Sequence, residues 1–346
     1  MKALVLEKYM HLVYQDVPEP ELQDEEVLVR VKAVGICGSD VHGMDGSTGR
    51  RLPPLIMGHE ASGVVEQTGK KVTGWKKGDR VTFDSTIYKQ DDWYTKQGWY
   101  NLSDGRMVIG VSTPEFKKNG AFAEFVTMPP HIMHRIPENV SFTEAALVEP
   151  AAVALHAIYL SSLQDNDTVI VIGAGMVGMF VIQLLKIKGC KIVIAIDPDT
   201  DRLQTAKQAG ADHIFTPDDP TLRDKVYQLT NNHGADIAIE VVGISATIQK
   251  AIDLMRKGGT LTLVGNVSPN VEIPLQQVVS RQLKLQGSCA INGEYPEILD
   301  LIAEGKLNVK SILSVEAPLE QGAEWFDRLY KKEKGLMKVI LKPGHE

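Results

Sequence analysis

Residues 168–178 read TVIVIGAGMVG, an apolar run that passes directly into three glycines at the spacing Gly-x-Gly-x-x-Gly. The β-branched run predicts a buried strand of a parallel sheet. A helical pattern follows to Lys188, and a second strand, Lys191 to Ile196, ends in Asp197. A strand before such glycines and a helix after them is the context in which they bind a dinucleotide, with the pyrophosphate at the helix N-terminus.

Each position of this glycine motif has a predicted role. Gly173 permits the tight turn, Gly175 lets the backbone approach the pyrophosphate, and Gly178 lets helix and strand pack closely. Met176 and Val177 lie between the last two glycines and complete the predicted cofactor-binding turn.

The residues beyond the motif predict which dinucleotide binds. Asp197 lies 19 residues after the last glycine, where a carboxylate accepts hydrogen bonds from both ribose hydroxyls of NAD and repels the 2′-phosphate of NADP. Arg202 could pair with that phosphate, although a helix-surface charge is the simpler interpretation. Val242 and Gly265 lie at strand ends where the nicotinamide half is expected. Further strands at 212–215, 235–242, 260–264 and 283–287 predict a six-stranded sheet.

A second group of residues, with side chains that can bind a metal ion, lies between Gly35 and Gly63. Cys37 is followed by Gly-Ser-Asp-Val-His, and His59 and Glu60 stand in GHEASG. A thiolate, an imidazole and a carboxylate form a ligand set that Zn²⁺ accepts, and an open fourth position is typical of a catalytic ion. Neighbours on a regular strand point to opposite faces, so His59 and Glu60 can both be ligands only where the strand bends.

These motifs, with Gly78-Asp79-Arg80-Val81 and the dinucleotide motif, resemble the zinc-dependent medium-chain dehydrogenases over essentially the whole chain. The resemblance is closest to the sorbitol (L-iditol 2-) dehydrogenase group. It implies an α/β protein with a GroES-like β-barrel catalytic domain, interrupted by a Rossmann domain with a doubly wound, parallel six-stranded sheet, and with the chemistry in the cleft between them. The implied domains are residues 1–153 plus 289–346, and residues 154–288.

The resemblance also implies roles for further site residues. Ser39 and His42 occupy the positions of a proton relay, in which the hydroxyl meets the substrate oxygen and the imidazole passes the proton towards solvent. His42 could equally be a solvated loop histidine. Glu149 occupies the position from which polyol dehydrogenases bring a fourth group to the metal, directly or through water, and Glu60 is implied as a direct ligand. Arg281 matches an arginine that contacts substrate or cofactor.

Residues 84–113 depart from one pattern of the family. Members with a second, structural zinc carry four cysteines in this lobe, and those positions fall here at Lys89, Asp92, Thr95 and Ser103. We therefore predict one catalytic zinc per subunit and no structural zinc. Packing of the aromatic side chains and local ion pairs that include Asp92 are expected to hold the lobe.

Composition narrows the function classes. The chain has 346 residues, enough for two domains, and its net charge of −7 lacks the basic field expected for nucleic-acid binding. No apolar run reaches membrane-spanning length, and charges interrupt the N-terminus before a signal-peptide core can form. The three cysteines, Cys37, Cys190 and Cys289, are too few for a disulfide framework, which predicts a cytoplasmic protein.

The predicted activity is oxidation of a secondary alcohol by NAD, with a sorbitol, L-iditol or xylitol type of polyol as substrate and a homodimer or homotetramer as the implied assembly. A sugar-alcohol phosphate, threonine or butanediol are alternative substrates. Arg50 and Arg51 could recognise a phosphate, although exposed loop charges are the simpler interpretation. Zinc-free NADPH reductases share the fold but lack the ligand set and Asp197. A non-enzymatic NAD(H)-binding redox sensor is the alternative of another class.

Overall fold

The structure, a computed structural model, describes residues 1–344. Within them the chain forms two compact units: Met1–Glu149, Ile291–Gly305 and the residues from Ile312 onward in unit 1, and Pro150–Ala290 with Lys306–Ser311 in unit 2. The predicted boundaries had placed 150–153, 289–290 and 306–311 in the catalytic domain. The last of these segments belongs with unit 2 because Asn308 pairs with Gln183, through Asn308 N to Gln183 Oε1 at 3.1 Å and Gln183 Nε2 to Asn308 O at 3.3 Å.

The secondary structure of the described chain follows the predicted order of a strand-rich segment, alternating strands and helices, and a return to the first unit. The strands are β1 (Lys2–Lys8), β2 (His11–Asp16), β3 (Val27–Gly35), β4 (Leu55–Ile56), β5 (Glu60–Thr68), β6 (Arg80–Phe83), β7 (Thr86–Ile87), β8 (Met107–Val108), β9 (Val111–Ser112), β10 (Lys117–Lys118), β11 (Phe125–Met128), β12 (Met133–Arg135), β13 (Thr168–Ile172), β14 (Ile192–Ile196), β15 (His213–Phe215), β16 (Ala235–Glu240), β17 (Met255–Leu263), β18 (Lys284–Gly287), β19 (Leu313–Pro318) and β20 (Lys338–Lys342). The helices are α1 (Gly38–Gly43), α2 (Trp93–Lys96), α3 (Phe142–Ala146), α4 (Val148–Leu160), α5 (Met176–Ile187), α6 (Thr200–Gln208), α7 (Leu222–Leu229), α8 (Ser245–Leu254), α9 (Leu275–Ser280), α10 (Tyr295–Ala303) and α11 (Gly322–Tyr330). None of the helices within residues 1–344 is both long enough and apolar enough to cross a bilayer.

Unit 1 is organised by a curved sheet in the order β12-β6-β5-β3-β20-β19, with β11 also paired to β3. Its apolar side chains, including Leu4, Phe83, Met128 and Phe326, are fully buried in one core. β3 and β5 are antiparallel and place Gly35 opposite Glu60. The residues just after β3 and just before β5 therefore lie side by side, which brings the Cys37 loop next to His59.

Unit 2 contains a parallel sheet in the order β15-β14-β13-β16-β17-β18, which confirms the predicted doubly wound, six-stranded fold. The chain leaves β13 on one side for β14 and β15, then returns to the other side for β16. The carboxyl ends of β13 and β16 therefore flank the switch point at which such sheets bind a dinucleotide. Buried Ile170, Ile194, Ala238 and Leu261 supply the core beneath it.

The lobe of residues 84–113 is held around the carboxylate of Asp92. Asp92 caps α2 by accepting a hydrogen bond from the Thr95 amide at 2.7 Å. It also accepts hydrogen bonds from the Ser103 hydroxyl and from the Asp104 amide, the latter at 2.8 Å. Ser103 Oγ in turn accepts from the Lys89 amide at 3.1 Å. Hydrogen bonds thus join positions 89, 92, 95 and 103, where ion pairs had been expected.

Replacing Asp92 with alanine should loosen this lobe without affecting the rest of unit 1. The Thr95 and Asp104 amides would lose their acceptor, and we expect their hydrogen exchange to accelerate by roughly tenfold, the value of a typical helix cap. Hydrogen-exchange mass spectrometry of D92A against D91A, a change at the exposed neighbouring residue, measures this effect. Equal exchange in the two variants would contradict the role given to Asp92.

His134 makes the stability of unit 1 depend on pH. Its ring stacks on Tyr295 with centroids 4.7 Å apart, and burial lowers the pKa of His134 to about 4. The unfolded chain, with a pKa near 6.5, takes up the proton first as the pH falls. Folding stability is therefore complete above pH 6.5 and decreases between pH 6.5 and 4, by up to about 2 kcal/mol from pH 7 to 5.

The variant H134F should remove that part of the acid sensitivity while keeping the aromatic contact. Urea unfolding at pH 7 and at pH 5 compares it with the wild type and with H11F, a matched change at an exposed histidine. We expect the difference between the two pH values to shrink in H134F alone. An unchanged difference in H134F would show that His134 is not the responsible group.

Candidate metal centre and cofactor site

Three potential ligands meet in unit 1 where β3 ends and β5 begins. One ligand atom each of Cys37, His59 and Glu60 lies within 4.8 Å of the other two. A single zinc ion can hold a sulfur, a nitrogen and an oxygen at this spacing after small side-chain movements. The structure therefore brings together three of the four residues of the predicted metal set. Glu149, the predicted fourth member, is not part of this close group.

Local backbone structure explains how neighbours in sequence can face one ion. His59 precedes β5, and Glu60 is its first residue, so the two do not alternate across a regular strand. Gly58 has a φ of +95°, and an added Cβ would lie 2.9 Å from the backbone nitrogen of Phe122. The bend required for both side chains to face one site is thus made at Gly58. On the other side of the site, Cys37 caps α1, a short helix in a segment where sequence analysis expected a loop.

The electrostatics of the three groups fit a cation. Burial, together with the nearby Glu60 carboxylate, raises the pKa of the Cys37 thiol well above its usual range. Glu60 Oε1 and His59 Nδ1 are both buried and have no hydrogen-bond partner in the described chain. A divalent ion would stabilise the thiolate and satisfy the carboxylate oxygen, so the donor set fits zinc.

The other oxygen of Glu60 is paired with a buried lysine that the sequence did not single out. Lys338, at the start of β20, contacts Glu60 Oε2 and donates to the carbonyl of Ile36 at 2.9 Å. Neither side chain of the pair is exposed to solvent. Glu60 therefore presents one oxygen to Lys338 and one towards Cys37 and His59. The only signal in the sequence is a lysine inside the strand-like stretch KVILK.

Arg51 is a second buried cation, and it pairs with Asp40, which faces His59. It donates from Nε and Nη2 to Asp40 Oδ1, at 3.0 and 2.7 Å. Asp40 Oδ2 faces His59 Nδ1 at 3.5 Å. Arg51 is 4% exposed, so its interpretation as an exposed loop charge is wrong.

The two predicted relay residues lie on α1. The Ser39 hydroxyl donates to Cys37 Sγ at 3.2 Å and accepts from Arg51 Nη2 at 3.3 Å. His42 is exposed and lies in the last turn of α1. The hydroxyl is thus adjacent to the ligand sulfur, and the imidazole is in contact with solvent.

Glu149 lies near the metal set without joining it. Its carboxylate accepts a hydrogen bond from Ser85 Oγ at 3.1 Å and is 8% exposed. Burial, opposed by His59 and reinforced by Glu60, raises the pKa of Glu149 to about 7. This carboxyl group therefore carries a proton for part of the time near neutral pH.

The glycine motif of unit 2 has the geometry expected of a dinucleotide site. Gly173 has a φ of +100°, and a Cβ added to Gly178 would lie 1.9 Å from the Gly173 carbonyl oxygen. A Cβ at Gly175 would meet nothing within 4 Å, which leaves room for a phosphate. α5 begins at Met176, so the amides of Met176 and Val177 belong to the helix turn that lacks internal acceptors.

The other predicted cofactor residues of unit 2 converge on this edge. Asp197 follows β14 and accepts from the Ala174 amide at 2.7 Å, so its carboxylate lies against the motif. Val242 is adjacent to Gly173, since a Cβ on that glycine would lie 2.7 Å from its Cγ2. A Cβ on Gly265 would likewise lie 2.3 Å from the Val242 amide nitrogen. Arg202 instead lies 3.9 Å from Asp199, in a partly exposed pair at the start of α6.

Arg281 does not lie with the other predicted cofactor residues. This residue precedes β18 and therefore lies at the amino edge of the parallel sheet, opposite the carboxyl edge at which dinucleotides bind. Its guanidinium donates to the carbonyl of Ile252 at 2.7 Å and also to that of Met255, at the end of α8. Its donors thus stabilise a helix terminus. The role implied by resemblance came from the place of Arg281 just before a strand, and in a parallel sheet that place is at the amino edge.

Comparison with known proteins agrees with both halves of the fold. The profile described as "Alcohol dehydrogenase GroES-like domain" matches residues 23–138, and the one described as "Zinc-binding dehydrogenase" matches residues 176–304. Sorbitol dehydrogenase of Bacillus subtilis is 32% identical to this chain, and the match covers 99% of this chain and 98% of that protein. Probable D-xylulose reductase A of Aspergillus fumigatus is 33% identical, and the match covers 98% of this chain and 96% of that protein. Alcohol dehydrogenase TADH from Thermus sp. ATN1 has a TM-score of 0.92 at 30% identity, covering 99% of this chain and 100% of that one.

The chain therefore belongs to the zinc-dependent medium-chain dehydrogenases, in the group of the sorbitol dehydrogenases. It is an alcohol dehydrogenase whose chemistry uses zinc and a nicotinamide cofactor.

Proposed function

We propose that this protein oxidises a secondary hydroxyl of a polyol of the sorbitol, L-iditol or xylitol type to the ketose, with NAD as the hydride acceptor. The observation that carries the proposal is the close group of Cys37, His59 and Glu60, with the Ser39 hydroxyl 3.2 Å from the ligand sulfur. The names of the Bacillus sorbitol dehydrogenase and the Aspergillus D-xylulose reductase support a polyol and ketose pair.

In this proposal Cys37, His59 and Glu60 hold one zinc ion per chain, and the bound ion lowers the pKa of the substrate hydroxyl. Ser39 has one lone pair left beside its contacts with Cys37 and Arg51, and it accepts the hydrogen bond of that hydroxyl. As Ser39 takes up the substrate proton it would release its own hydrogen, which would reach His42 and solvent by way of the cofactor ribose. NAD, when bound, would supply the hydride acceptor, so the alcohol would lose one hydride and one proton.

Glu149 is proposed to act at the fourth position of the metal through water, and to give way to the substrate hydroxyl. A charge argument favours this arrangement. Zinc with one thiolate and one carboxylate is neutral, and a second ionised carboxylate would make the centre negative and less able to favour proton loss.

NAD is proposed as the cofactor because of Asp197. Its two oxygens accept from the Ala174 amide and, at 2.8 Å, from the Asp199 amide. An ionised carboxylate has about four acceptor positions, so positions remain for the ribose hydroxyls. Its negative charge would repel the additional phosphate of NADP.

A polyol phosphate is the second candidate substrate, and the contacts of Arg51 argue against its role in binding the phosphate. The guanidinium of Arg51 already donates to Asp40, to Ser39 and, at 3.1 Å, to the carbonyl of Arg50. Of the two arginines considered for the phosphate, only Arg50 has an exposed side chain.

The test combines zinc analysis with NAD and NADP reduction on a panel of sorbitol, xylitol, L-iditol, phosphorylated alditols, threonine and butanediol. We expect one zinc per chain and reduction of NAD, rather than NADP, with an unphosphorylated polyol. A protein that holds zinc and binds NAD but turns over none of the polyols would overturn the substrate assignment. Turnover with the phosphorylated alditols alone would establish the second candidate.

We also infer a homo-oligomer located in the cytoplasm. β18 pairs only with β17 among the described strands, and Val267, Leu275 and Val279 nearby in unit 2 are 60–70% exposed. An open strand edge beside apolar side chains favours pairing with a second copy. The proposed cytoplasmic location rests on the three cysteines, which are too few for a disulfide framework. Light scattering of the wild type and of V279E tests the assembly, since V279E should be smaller.

A further inference from the structure

Arg51 connects two parts of the candidate site that are otherwise separate. It follows the loop after α1, and its side chain is 4% exposed. Its planar guanidinium uses Nε and Nη2 for Asp40 Oδ1, at 3.0 and 2.7 Å, and Nη2 also reaches Ser39 Oγ at 3.3 Å. The rigid plane fixes Nε on Asp40 and Nη2 between Asp40 and Ser39, whereas a lysine ammonium is a single point on a flexible stem and would lose the Nε contact.

The contact with Asp40 extends to the metal set. Asp40 is completely buried, and its Oδ2 lies 3.5 Å from His59 Nδ1. Neither of these atoms has a hydrogen-bond partner in the described chain. A small movement of the ring would let the carboxylate accept the Nδ1 hydrogen, which would leave Nε2 free for a metal and fix the orientation of the ring. Arg51 holds the carboxylate in place for this contact.

The contact with Ser39 acts on the hydroxyl of the proposed relay. Because Arg51 donates to Ser39 Oγ, the hydroxyl hydrogen is directed towards Cys37 Sγ, 3.2 Å away. One lone pair then remains in a fixed direction for an incoming hydroxyl. Gly43 makes room for the arginine, since an added Cβ would lie 2.5 Å from Arg51 Cγ.

We propose that Arg51 is a positioning residue of the metal centre, which orients the ligand His59 through Asp40 and the relay hydroxyl of Ser39 directly. This inference rests on the proposed role of these residues in zinc binding and proton transfer. It assigns to a buried arginine a function that neither its place in a loop nor its charge would suggest.

The experiment compares R51K and R51M with R50K and R50M, the same changes at the exposed neighbour. Zinc affinity is measured by competition with a chromophoric chelator. The cobalt-substituted proteins report the geometry of the site through their sulfur-to-metal and d–d absorption bands. The isotope effect on kcat/KM with a deuterated alcohol then reports hydride transfer. Circular dichroism and melting temperature show whether each variant is folded.

We expect R51K to fold, to bind zinc 10- to 100-fold more weakly, the range found for groups behind metal ligands, and to have shifted cobalt d–d bands. The Arg50 variants should stay within about twofold of the wild type, since surface changes have small effects. If R51M does not fold, the double variant D40N/R51M removes both buried charges and should fold with the same loss of zinc affinity. The variant G43A, which displaces Arg51 without removing a polar group, should weaken zinc binding in the same direction.

Wild-type zinc affinity and cobalt bands in folded R51K would overturn the inference, and so would a lower melting temperature with unchanged metal binding. The metal measurements need no substrate, so a negative polyol panel would overturn the proposed substrate and leave this inference standing. A wild-type protein that binds no zinc or cobalt would overturn both, and this is known before any variant is compared.

Discussion

Replacing Cys37 with serine is expected to remove the zinc ion and to lower kcat/KM for the alcohol by roughly 10³-fold or more, since a metal ion supplies several kcal/mol of stabilisation to such a reaction. Serine is close to cysteine in size, but its hydroxyl is not ionised near neutral pH and is a poor zinc ligand. Zinc content by atomic emission and turnover of the best alcohol in the panel measure the two effects.

Cys190 provides the matched control for this prediction. It is a free, buried thiol in unit 2, and burial raises the pKa of its side chain to about 11. C190A should therefore keep one zinc per chain and wild-type turnover. A C37S protein that retains a full equivalent of zinc would show that the ion, if present, is held by other groups.

Replacing Lys338 with methionine should destabilise the zinc-free protein by roughly 3–5 kcal/mol, because Glu60 would remain as a buried carboxylate without its partner. The corresponding decrease in melting temperature is roughly 5–10 °C for a protein of this size. Adding zinc should restore much of the loss, because the ion neutralises the same carboxylate. The increase in melting temperature on zinc addition is therefore expected to be larger in K338M than in the wild type.

The exposed pair of Lys331 and Asp327 provides the comparison. Its side chains are 69% and 52% exposed, and K331M should change stability by less than about 1 kcal/mol. Scanning calorimetry of the three proteins with and without zinc gives all the required values. If K338M and K331M have the same melting temperature in the absence of zinc, Lys338 is not the necessary partner of Glu60.

The fold was predictable because its strongest signals are local. TVIVI followed by Gly173, Gly175 and Gly178 fixes a strand, a turn and a helix, and each neighbouring strand of unit 2 carries its own apolar run. The pair of His59 and Glu60 after Gly58 is equally local. In these cases the residues that produce the structure are adjacent in the chain.

The buried cations Lys338 and Arg51 were not predictable, because their burial depends on carboxylates elsewhere in the fold. Lys338 is buried because β20 pairs with β3 and brings it to Glu60, 278 residues away. Arg51 is buried because Asp40 on α1 faces it. A lysine or arginine in a sequence is normally expected at the surface, and only the position of its carboxylate in the fold reveals the exception. Asp92 is a different case, since its carboxylate is bound by the uncharged Thr95 amide, Ser103 hydroxyl and Asp104 amide, all within 12 residues.

The hydrogen bonds around Asp92 have a chemical consequence for residues 84–113. This segment contains no cysteine, and its contacts at Asp92 and Ser103 are made by oxygen and nitrogen atoms. Thiol-directed oxidants such as disulfides therefore have no cysteine in this lobe to attack. Inactivation by such reagents should begin at the single thiol of the reaction centre, and it should leave the shape of the lobe unchanged.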